Sequence, residues 1–258
     1  MMSCMLTWLS YDFGYSWPLT RGHLLVFLVA AVLAAFCWWR GWRRWIAITA
    51  AAVAIWALAG AVAMHYAIQI GEPQRLVTDA FLPSGAGRVL DLGAGSGRAT
   101  VGLLLARPRA TVTAVDLYQG YYGIDDNTPE RLLQNARVAG VGDRVHVQVA
   151  DMRQLPFGAD EFDAAMSVAA IDHLRSEGID QTLRETARVL KPRGQLLVVS
   201  LNVDNWVRIA VPPSLHGHGY WGSSQNRERW RERLTSAGFD VADVGTRPAT
   251  VYFLATRR

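Results

Sequence analysis

Two long runs without a charged residue lie in the first seventy residues, and they limit what this part of the chain can fold into. Leu24–Trp39 and Trp45–Ile70 contain no Lys, Arg, Asp or Glu. As a helix rising about 1.5 Å per residue, the second run can cross a hydrocarbon core of about 30 Å, whereas the first is marginal alone. The pattern predicts two hydrophobic helices over residues 23–70, either transmembrane or embedded in a membrane.

The stretch between the two runs, residues 38–45, holds four tryptophans and three arginines. Indole rings suit the boundary between membrane and water, and arginines can reach lipid phosphates. This predicts the turn of a helical hairpin whose partner is the lipid bilayer. The alternative is a soluble helical pair packed on a domain, with the arginines in a solvated turn. Residues 1–22 are predicted to form an aromatic segment at the interface, through Trp8, Tyr11, Tyr15 and Trp17.

Composition narrows the remaining classes. The 258 residues leave room for one sizeable α/β domain beside the hairpin. Both cysteines, Cys4 and Cys37, lie ahead of that domain, so neither a disulfide framework nor a cysteine-based metal site is indicated. The formal net charge is +4, and the arginines are scattered or flank the apolar runs. This favours an anionic membrane surface over a nucleic acid as partner.

From Gly71 onward the character of the sequence changes. Residues 71–87 predict a linker helix that ends in a Pro/Gly turn, and strand and helix patterns alternate after it. Alternation of this kind predicts an α/β fold, a doubly wound, mostly parallel sheet of seven strands with helices on both faces. The predicted strands are Arg88–Leu92, Thr111–Asp116, Arg144–Val149, Phe162–Val168, Gln195–Leu201, Asp240–Val244 and Val251–Ala255. The predicted helices are Gly97–Ala106, Pro129–Ala139, Glu177–Leu190 and Arg227–Ala237.

Ligands of such sheets bind at the carboxyl ends of the strands. The stretch DLGAGSG, residues 91–97, ends the first strand, and its glycines allow a tight turn whose N–H groups can approach a ligand closely. Asp116 ends the second strand, where a carboxylate can accept both hydroxyls of a ribose. Asp151 follows the third strand. A glycine-rich turn alone would fit a dinucleotide-binding domain equally well.

Five segments together resemble the class I S-adenosylmethionine-dependent methyltransferase family, over about residues 88–258. They are VLDLGAGSG, AVDL, ADMRQLPF, FDAAMSVAAIDHL and RVLKPRGQLLVV. The resemblance implies a Rossmann-like seven-stranded sheet of the class I methyltransferase type. It also implies S-adenosylmethionine (SAM) as cofactor and S-adenosylhomocysteine as product.

The resemblance further implies roles for the strand-end residues. Asp91 and the backbone of the glycine turn would hold the methionine portion of SAM. Asp116 would bind the ribose, with Leu117 against the adenine. Asp151 would take the adenine amino group, with Met152 packed on the ring. The alternatives are ordinary core packing for Leu117 and Met152, and a helix cap or turn for Asp116. The turn residues concerned are Gly93, Ala94, Gly95 and Gly97.

The methyl group on a sulfonium is already activated, so the protein mainly aligns a nucleophile and excludes water. A base is needed only if the nucleophile arrives protonated. Asp172 and His173, just past the fourth predicted strand, are the candidate catalytic residues. The structural alternative is that Asp172 caps the next turn and His173 packs at the surface.

Two loops are predicted to bind the acceptor. Residues 117–127 are long for a loop after the second strand, and residues 214–222 combine histidines and aromatic rings among glycines. No carboxylate or cysteine pattern accompanies these histidines, so no metal is predicted. The candidate substrate-binding residues are Tyr118, Tyr121, Tyr122, His216, His218, Tyr220 and Trp221.

A membrane hairpin on a methyltransferase is explained most simply by an acceptor in or near the bilayer. The sequence therefore predicts methylation of a lipophilic or membrane-associated small molecule. The alternatives are a small thiol or metalloid acceptor, and a non-catalytic membrane-tethered scaffold that binds SAM. No nucleic-acid partner is predicted, and the oligomeric state is open.

The orientation of the hairpin involves two opposing arguments. The turn carries Arg40, Arg43 and Arg44, whereas only Arg21 and Arg75 flank the other side, and this slight excess would place the turn in the cytoplasm. SAM is a cytoplasmic cofactor, which requires the reverse. We expect the methyltransferase domain to face the cytoplasm. A hairpin that enters and leaves one leaflet would satisfy both arguments.

Overall fold

The computed structural model describes residues 11–119, 124–210 and 227–258. A seven-stranded sheet with the order β3-β2-β1-β4-β5-β7-β6 forms its centre. The strands are β1 Ala86–Leu92, β2 Arg109–Asp116, β3 Val145–Val149, β4 Phe162–Val168, β5 Leu190–Leu201, β6 Phe239–Arg247 and β7 Thr250–Arg257.

Helices of very different character surround and extend the sheet. The α-helices are α1 Trp17–Trp39, α2 Arg44–Val62, α3 Arg98–Ala106, α4 Pro129–Val138, α5 Ser176–Val189, α6 Asn205–Ala210 and α7 Arg227–Ser236. A π-helical turn, Ala63–Ala67, continues α2, and short 3-10 turns lie at Gly142–Arg144 and Ile171–His173.

All neighbouring strands pair in parallel except β7, which is antiparallel to both β5 and β6. The predicted Rossmann-like α/β sheet is therefore confirmed. The chain order reverses beside β1, which pairs with β2 on one side and β4 on the other. Ligands of doubly wound sheets bind at such a switch point, outside the carboxyl ends of the strands.

Both faces of the sheet are covered, as the alternation along β1 requires. Val89 belongs to a core cluster with Leu103 and Leu132, from α3 and α4. The next residue, Leu90, belongs to a second cluster on the other face, with Trp230 of α7. Successive side chains of a strand point to opposite faces, so a strand buried on both sides reads as a continuous apolar run.

The two apolar runs form an antiparallel helical hairpin, α1 and α2. Small side chains line the buried face of α2, and against them α1 buries Ala30 and Cys37. A Cβ at Gly60 would collide with the His23 ring, so the helices approach closely there. The spacing of three and four residues is that of a continuous helical seam. The small residues are Ala47, Ala50, Ala54, Ala57 and Ala61.

The first helix is longer than the charge-free run predicted. It begins at Trp17, with Pro18 in its first turn, and has 23 residues. Arg21 and His23 lie inside it, and the prediction from Leu24 was wrong because it stopped at those polar residues. By length and composition both hairpin helices could cross a membrane, and only 11% of the most apolar stretch of α1 and 39% of that of α2 are buried.

The linker helix predicted over residues 71–87 is wrong. Residues 71–85 form turns, bends and irregular chain, and β1 begins at Ala86. Gly71 and Gly85 adopt φ of +83° and +71°, which a helix does not use. The Gln74 N–H donates to the Arg98 carbonyl at 3.0 Å, so the backbone of this segment also bonds to α3.

Tyr11–Tyr15, which we call the strap, lie in the segment predicted to be interfacial, and their position relative to a membrane stays a prediction. The strap packs on the domain: Phe13 is buried, and Tyr15 forms an isolated antiparallel bridge with Ile124. Asp12 exchanges hydrogen bonds with Asn135 of α4. Trp8 lies outside the described residues, and Trp17 is exposed at the start of α1.

Candidate cofactor and acceptor site

The glycine turn at the end of β1 needs its glycines. Gly93, Gly95 and Gly97 adopt φ of +76°, +52° and +86°, in the left-handed region. A Cβ at Gly93 would collide with the Ala170 side chain. The N–H groups of Gly93 and Ala94 donate to the Val115 carbonyl at 2.8 and 3.1 Å. The turn is therefore tied to the end of β2, and it has no room for a side chain at position 93.

Asp91 is a fully buried carboxyl at the end of β1. Its Oδ2 accepts a hydrogen bond from the Thr100 hydroxyl of α3. Burial raises its pKa to about 7, with Asp116 adding to the rise and Thr100 opposing it. A cationic group arriving beside this carboxyl would favour its ionised form. The α-amino group of SAM is such a cation, so Asp91 fits the predicted role.

Asp116 links the glycine turn to the end of β2. Its Oδ2 accepts the Gly95 N–H at 2.9 Å and its Oδ1 accepts the Tyr118 N–H at 2.7 Å. The second bond is that of a local turn, as the alternative interpretation proposed, whereas the first crosses to another segment. A carboxylate oxygen can accept more than one bond, so both oxygens keep capacity for the hydroxyls of a ribose.

The side chains predicted to contact adenine lie at the same edge of the sheet. Leu117 is exposed, so ordinary core packing is wrong for it. Met152 is partly buried against the second core cluster, and its Cε lies 3.0 Å from the position that a Cβ on Gly93 would take. Asp151 is ion-paired with Arg153 at 2.6 Å. Its hydrogen bonds from Arg153 lower its pKa, so it is ionised and oriented.

Asp172 is buried beneath the end of β5. Its Oδ2 accepts a hydrogen bond from the Ser200 hydroxyl, and its Oδ1 is buried without a partner among the described residues. It does not cap the following helix, because Arg175 is the N-cap of α5 and no side chain bonds there. The capping alternative for Asp172 is therefore wrong. A buried carboxylate oxygen without a partner has capacity to accept a proton or a hydrogen bond.

The 3-10 turn carrying Asp172 is fixed to the glycine turn. The Ser167 hydroxyl at the end of β4 donates to the Leu92 carbonyl at 3.1 Å and accepts the Ile171 N–H at 3.2 Å. His173 follows in the same turn, is partly buried, and donates its N–H to the Ala170 carbonyl. The ends of β1 and β4 thus bring the candidate cofactor and catalytic residues together.

Tyr118 is the one candidate acceptor residue that lies within the described ranges. It has a φ of +53°, and its hydroxyl is buried without a partner among those residues. Burial and the nearby Asp116 raise its pKa far above its usual value, so the hydroxyl stays protonated. The other candidates lie outside the described residues: Tyr121, Tyr122, His216, His218, Tyr220 and Trp221.

Asn127 is a site residue that the sequence did not reveal. Its Oδ1 is buried without a partner in the described chain and lies 3.8 Å from the position of a Cβ on Gly95. Asn127 immediately precedes the N-cap of α4. Thr128 is the N-cap, since its hydroxyl accepts the Arg131 N–H at 3.3 Å. Asn127 therefore does not cap the helix. Its Oδ1 is a hydrogen-bond acceptor near the glycine turn, and only the structure identifies it.

No three His, Cys, Asp or Glu side chains gather as metal ligands would within residues 11–119, 124–210 and 227–258. The polar groups at the strand ends are instead the buried Asp91 carboxyl, the Asp116 carboxylate and the backbone of the glycine turn, which a ligand can approach closely. This donor set suits a cationic nucleoside-like ligand.

Comparison with known proteins agrees with this geometry. Residues 89–194, less than half of the chain, match the family model for a methyltransferase domain. The seven-stranded sheet and the residues at its strand ends agree with the class I resemblance, which implies SAM as cofactor.

Curated relatives share this region. The chain is similar to a malonyl-[acyl-carrier protein] O-methyltransferase of Halorhodospira halophila, at 32% identity over 59% of this chain and 48% of the relative. It is also similar to a ubiquinone/menaquinone biosynthesis C-methyltransferase of Syntrophotalea carbinolica, at 32% identity over 46% of each chain. The chain thus spans about half the length of these relatives.

A solved structure confirms the fold. An O-methyltransferase family 2 protein of Planctomyces limnophilus in complex with apigenin aligns with a TM-score of 0.56 and 16% identity. The alignment covers 83% of this chain and 69% of that one. At this identity the likeness concerns the fold alone.

Proposed function

We propose that this chain is a membrane-anchored SAM-dependent methyltransferase whose acceptor is a lipophilic or membrane-associated small molecule. The methyltransferase domain supplies the reaction class. The hairpin supplies the location, and the way in which it joins the domain supports the choice of acceptor.

One observation carries the proposal: the base of the hairpin lies beside the ligand-binding edge of the sheet. The π-helical turn after α2 packs against α6, which follows the carboxyl end of β5 almost directly. The rings of Tyr66 and Trp206 lie 5.5 Å apart at this junction. On the other side, the Ile68 carbonyl accepts a hydrogen bond from Arg98, the first residue after the glycine turn. A membrane around the hairpin would therefore lie close to the mouth of the site.

The dimensions of the hairpin favour a full crossing over insertion into one leaflet. Helix α1, with 23 residues, is about 35 Å long at about 1.5 Å per residue, and the hydrocarbon core is about 30 Å thick. Exposed aromatic rings stand at both ends: Trp17 and Tyr66 at the base, and Trp38, Trp39, Trp42 and Trp45 at the turn. Aromatic belts at two levels are typical of a spanning segment.

The strap and the domain lie on one side of such a membrane. Because the domain uses SAM, we propose that this side is the cytoplasm and that the arginine-rich turn lies opposite. Its arginines would then contact lipid phosphates on the far surface, where three charges are tolerated near phosphate groups.

The residues of the site would have different roles in methyl transfer. SAM, when bound, supplies a methyl group already activated by its sulfonium. Asp91 would hold the cationic amino group and Asp116 the ribose, and the glycine turn would let the cofactor lie close to the backbone. Asp172 would accept the proton from an acceptor that arrives protonated, through the oxygen that Ser200 does not occupy. Tyr118 would donate its hydroxyl proton as a hydrogen bond to the acceptor.

Similarity to a C-methyltransferase of ubiquinone/menaquinone biosynthesis agrees with a lipophilic acceptor. That similarity covers less than half of each chain, and it does not name the acceptor of this protein.

The deciding experiment follows the methyl label. Membranes that carry the full-length protein receive SAM labelled in its methyl group, and the label is followed into organic-soluble, volatile, small polar and protein fractions. We expect label in the organic-soluble fraction. Asp91→Ala should abolish it because the cofactor loses its buried partner, whereas Asp79→Ala, which removes an exposed carboxylate ahead of β1, should not.

Other outcomes would overturn parts of the proposal. Label in the volatile or small polar fraction would favour a thiol or metalloid acceptor, with the hairpin serving only location. Cofactor binding without any transfer to membranes or extracts would favour the scaffold.

A further inference from the structure

The strap and the segment that leaves the hairpin both reach the glycine turn, although neither belongs to the methyltransferase domain. The strap leads into α1, and Ile68–Arg75 follows the end of α2, both at the base of the hairpin. Each is held by a residue next to the cofactor turn. This arrangement ties the membrane hairpin to the cofactor site through contacts distant in sequence.

Arg98 is the first of these residues, and it starts α3 directly after Gly97. Its Nη1 donates to the Tyr15 hydroxyl at 3.0 Å, and its guanidinium lies over the Tyr15 ring at 5.7 Å. Its Nη2 donates to the Ile68 carbonyl at 2.8 Å and to the Gln74 side chain. One guanidinium thus holds the chain that enters the hairpin and the chain that leaves it.

Asn135 is the second, and it is fully buried in α4. Its side chain accepts the Asp12 N–H at 2.9 Å and donates to the Asp12 carbonyl at 2.8 Å. The same amide nitrogen donates to the carbonyl of Ser96, a residue of the glycine turn, at 3.0 Å. The strap is therefore bonded to the cofactor turn through a single side chain.

The loop after β2 completes the frame. The Asp125 N–H donates to the Gly14 carbonyl at 2.6 Å, and Ile124 pairs with Tyr15. The Ile124 Cδ1 lies 3.3 Å from the position of a Cβ on Gly95. A shift of the strap would therefore move a side chain that packs directly on the glycine turn.

We propose that the strap and Arg98 form the outer frame of the cofactor site, so that the seating of the hairpin sets cofactor affinity. Arg98 acts as a positioning residue: its guanidinium is committed to Tyr15, Ile68 and Gln74, and it places the start of α3 under the turn. The inference rests on the proposed use of SAM and adds that residues outside the matched domain are part of its binding site.

Substitution of Arg98 by Lys tests this directly. A lysine keeps the charge but has no planar fork to reach several acceptors in fixed directions. In the full-length protein in lipid nanodiscs, we expect Arg98→Lys to raise the Kd for S-adenosylhomocysteine about tenfold, the size of one lost charge-assisted hydrogen bond. Tyr15→Phe, which removes one of the partners, should raise it about threefold.

Matched controls separate positioning from general damage. Arg109→Lys alters an arginine at the opposite end of the sheet, where it bonds the Ser84 carbonyl, and Tyr252→Phe removes a hydroxyl that bonds Asp243. Both should bind within about twofold of the unaltered protein. The unfolding midpoint of the ligand-free protein should be the same for Arg98→Lys and Arg109→Lys.

Three results would overturn the inference. One is unchanged affinity in Arg98→Lys and Tyr15→Phe. The second is a weakened affinity that follows a lowered unfolding midpoint, since that would make Arg98 only a structural residue. Should Arg98→Lys fail to fold, Tyr15→Phe decides alone. The third is absence of any binding to the unaltered protein, which would also refute the proposed function, whereas binding without methyl transfer would leave this inference standing.

Discussion

The hairpin and the sheet bury opposite kinds of side chain. The sheet buries large residues such as Phe162 and Trp230, and its surface is charged. The hairpin buries alanines and a glycine, while its leucines, valines and tryptophans point outward. On the proposed topology, the difference arises because two solvents, water and lipid, surround different parts of one chain. Water drives large apolar groups inward, whereas helices in lipid gain from close approach through small residues.

The contrast also extends to charge. The domain buries two carboxyl groups, Asp91 of β1 and Asp172 of the turn after β4. The two hairpin helices, residues 17–39 and 44–62, contain no acidic residue. A buried charge is costly unless it is partnered, so its presence in the sheet marks a site.

The largest expected effect comes from shortening one leucine in each region. Leu90→Ala removes a side chain with no exposed surface from the sheet core, and should lower the free energy of unfolding by about 2–5 kcal/mol. Leu28→Ala alters a side chain that is 58% exposed on α1, and should change it by less than about 0.5 kcal/mol. Denaturant titration in detergent micelles measures both. Equal losses of unfolding free energy in the two variants would contradict the difference between the sheet and the hairpin.

A charge on the outward face of α1 should affect location instead of folding. Val32 is 68% exposed near the middle of the helix, and a lysine there costs about 3 kcal/mol on insertion. We expect Val32→Lys to reduce the membrane-bound fraction strongly, as measured by membrane flotation. Val138→Lys, at the surface of the domain, is the matched control and should not move the protein. If the unaltered protein does not float with membranes either, the membrane assignment is contradicted.

The pH dependence of cofactor binding sharpens the contrast in charge. Asp91 keeps its proton up to about pH 7 in the ligand-free protein, against an ordinary pKa of 3.8. The stability that it contributes is therefore present below pH 3.8 and is lost as the pH rises through 7. The cationic amino group of the ligand needs the ionised form of Asp91, so affinity for S-adenosylhomocysteine should fall below pH 7 by up to about tenfold per unit. Calorimetric titration over this range measures it, and an equal slope in Asp91→Asn would refute the assignment to Asp91.

The sequence predicted the parts that rest on local pattern. The glycine turn, the strand-end carboxylates and the alternation of strands and helices follow from short motifs and from hydrophobic pattern. Asp91, Gly93 and Asp116 lie where the resemblance implied. The bounds were less accurate: β5 begins at Leu190, five residues before the predicted start, because its first residues contain Pro192 and Gly194 and do not read as a strand.

The parts that could not be predicted depend on contacts between distant residues. The stretch from Tyr11 to Tyr15 is aromatic, and an aromatic stretch beside an apolar helix suits a membrane interface equally well. Its partner, Asn135, lies 123 residues further along the chain. Arg98 likewise reads as an ordinary helix residue until Tyr15, Ile68 and Gln74 surround it. No periodicity reports such pairings.

The strap also imposes an order on biosynthesis. Tyr11–Tyr15 is synthesised before the hairpin, yet the asparagine that holds it is made 123 residues after Asp12. At about 5–20 residues per second this is a delay of roughly 6–25 s. On the proposed topology, the hairpin enters the bilayer during that interval, before the asparagine that holds the strap has been synthesised. On this topology the hairpin is synthesised first. The strap can bind beside the proposed cofactor site only after α4 has been synthesised.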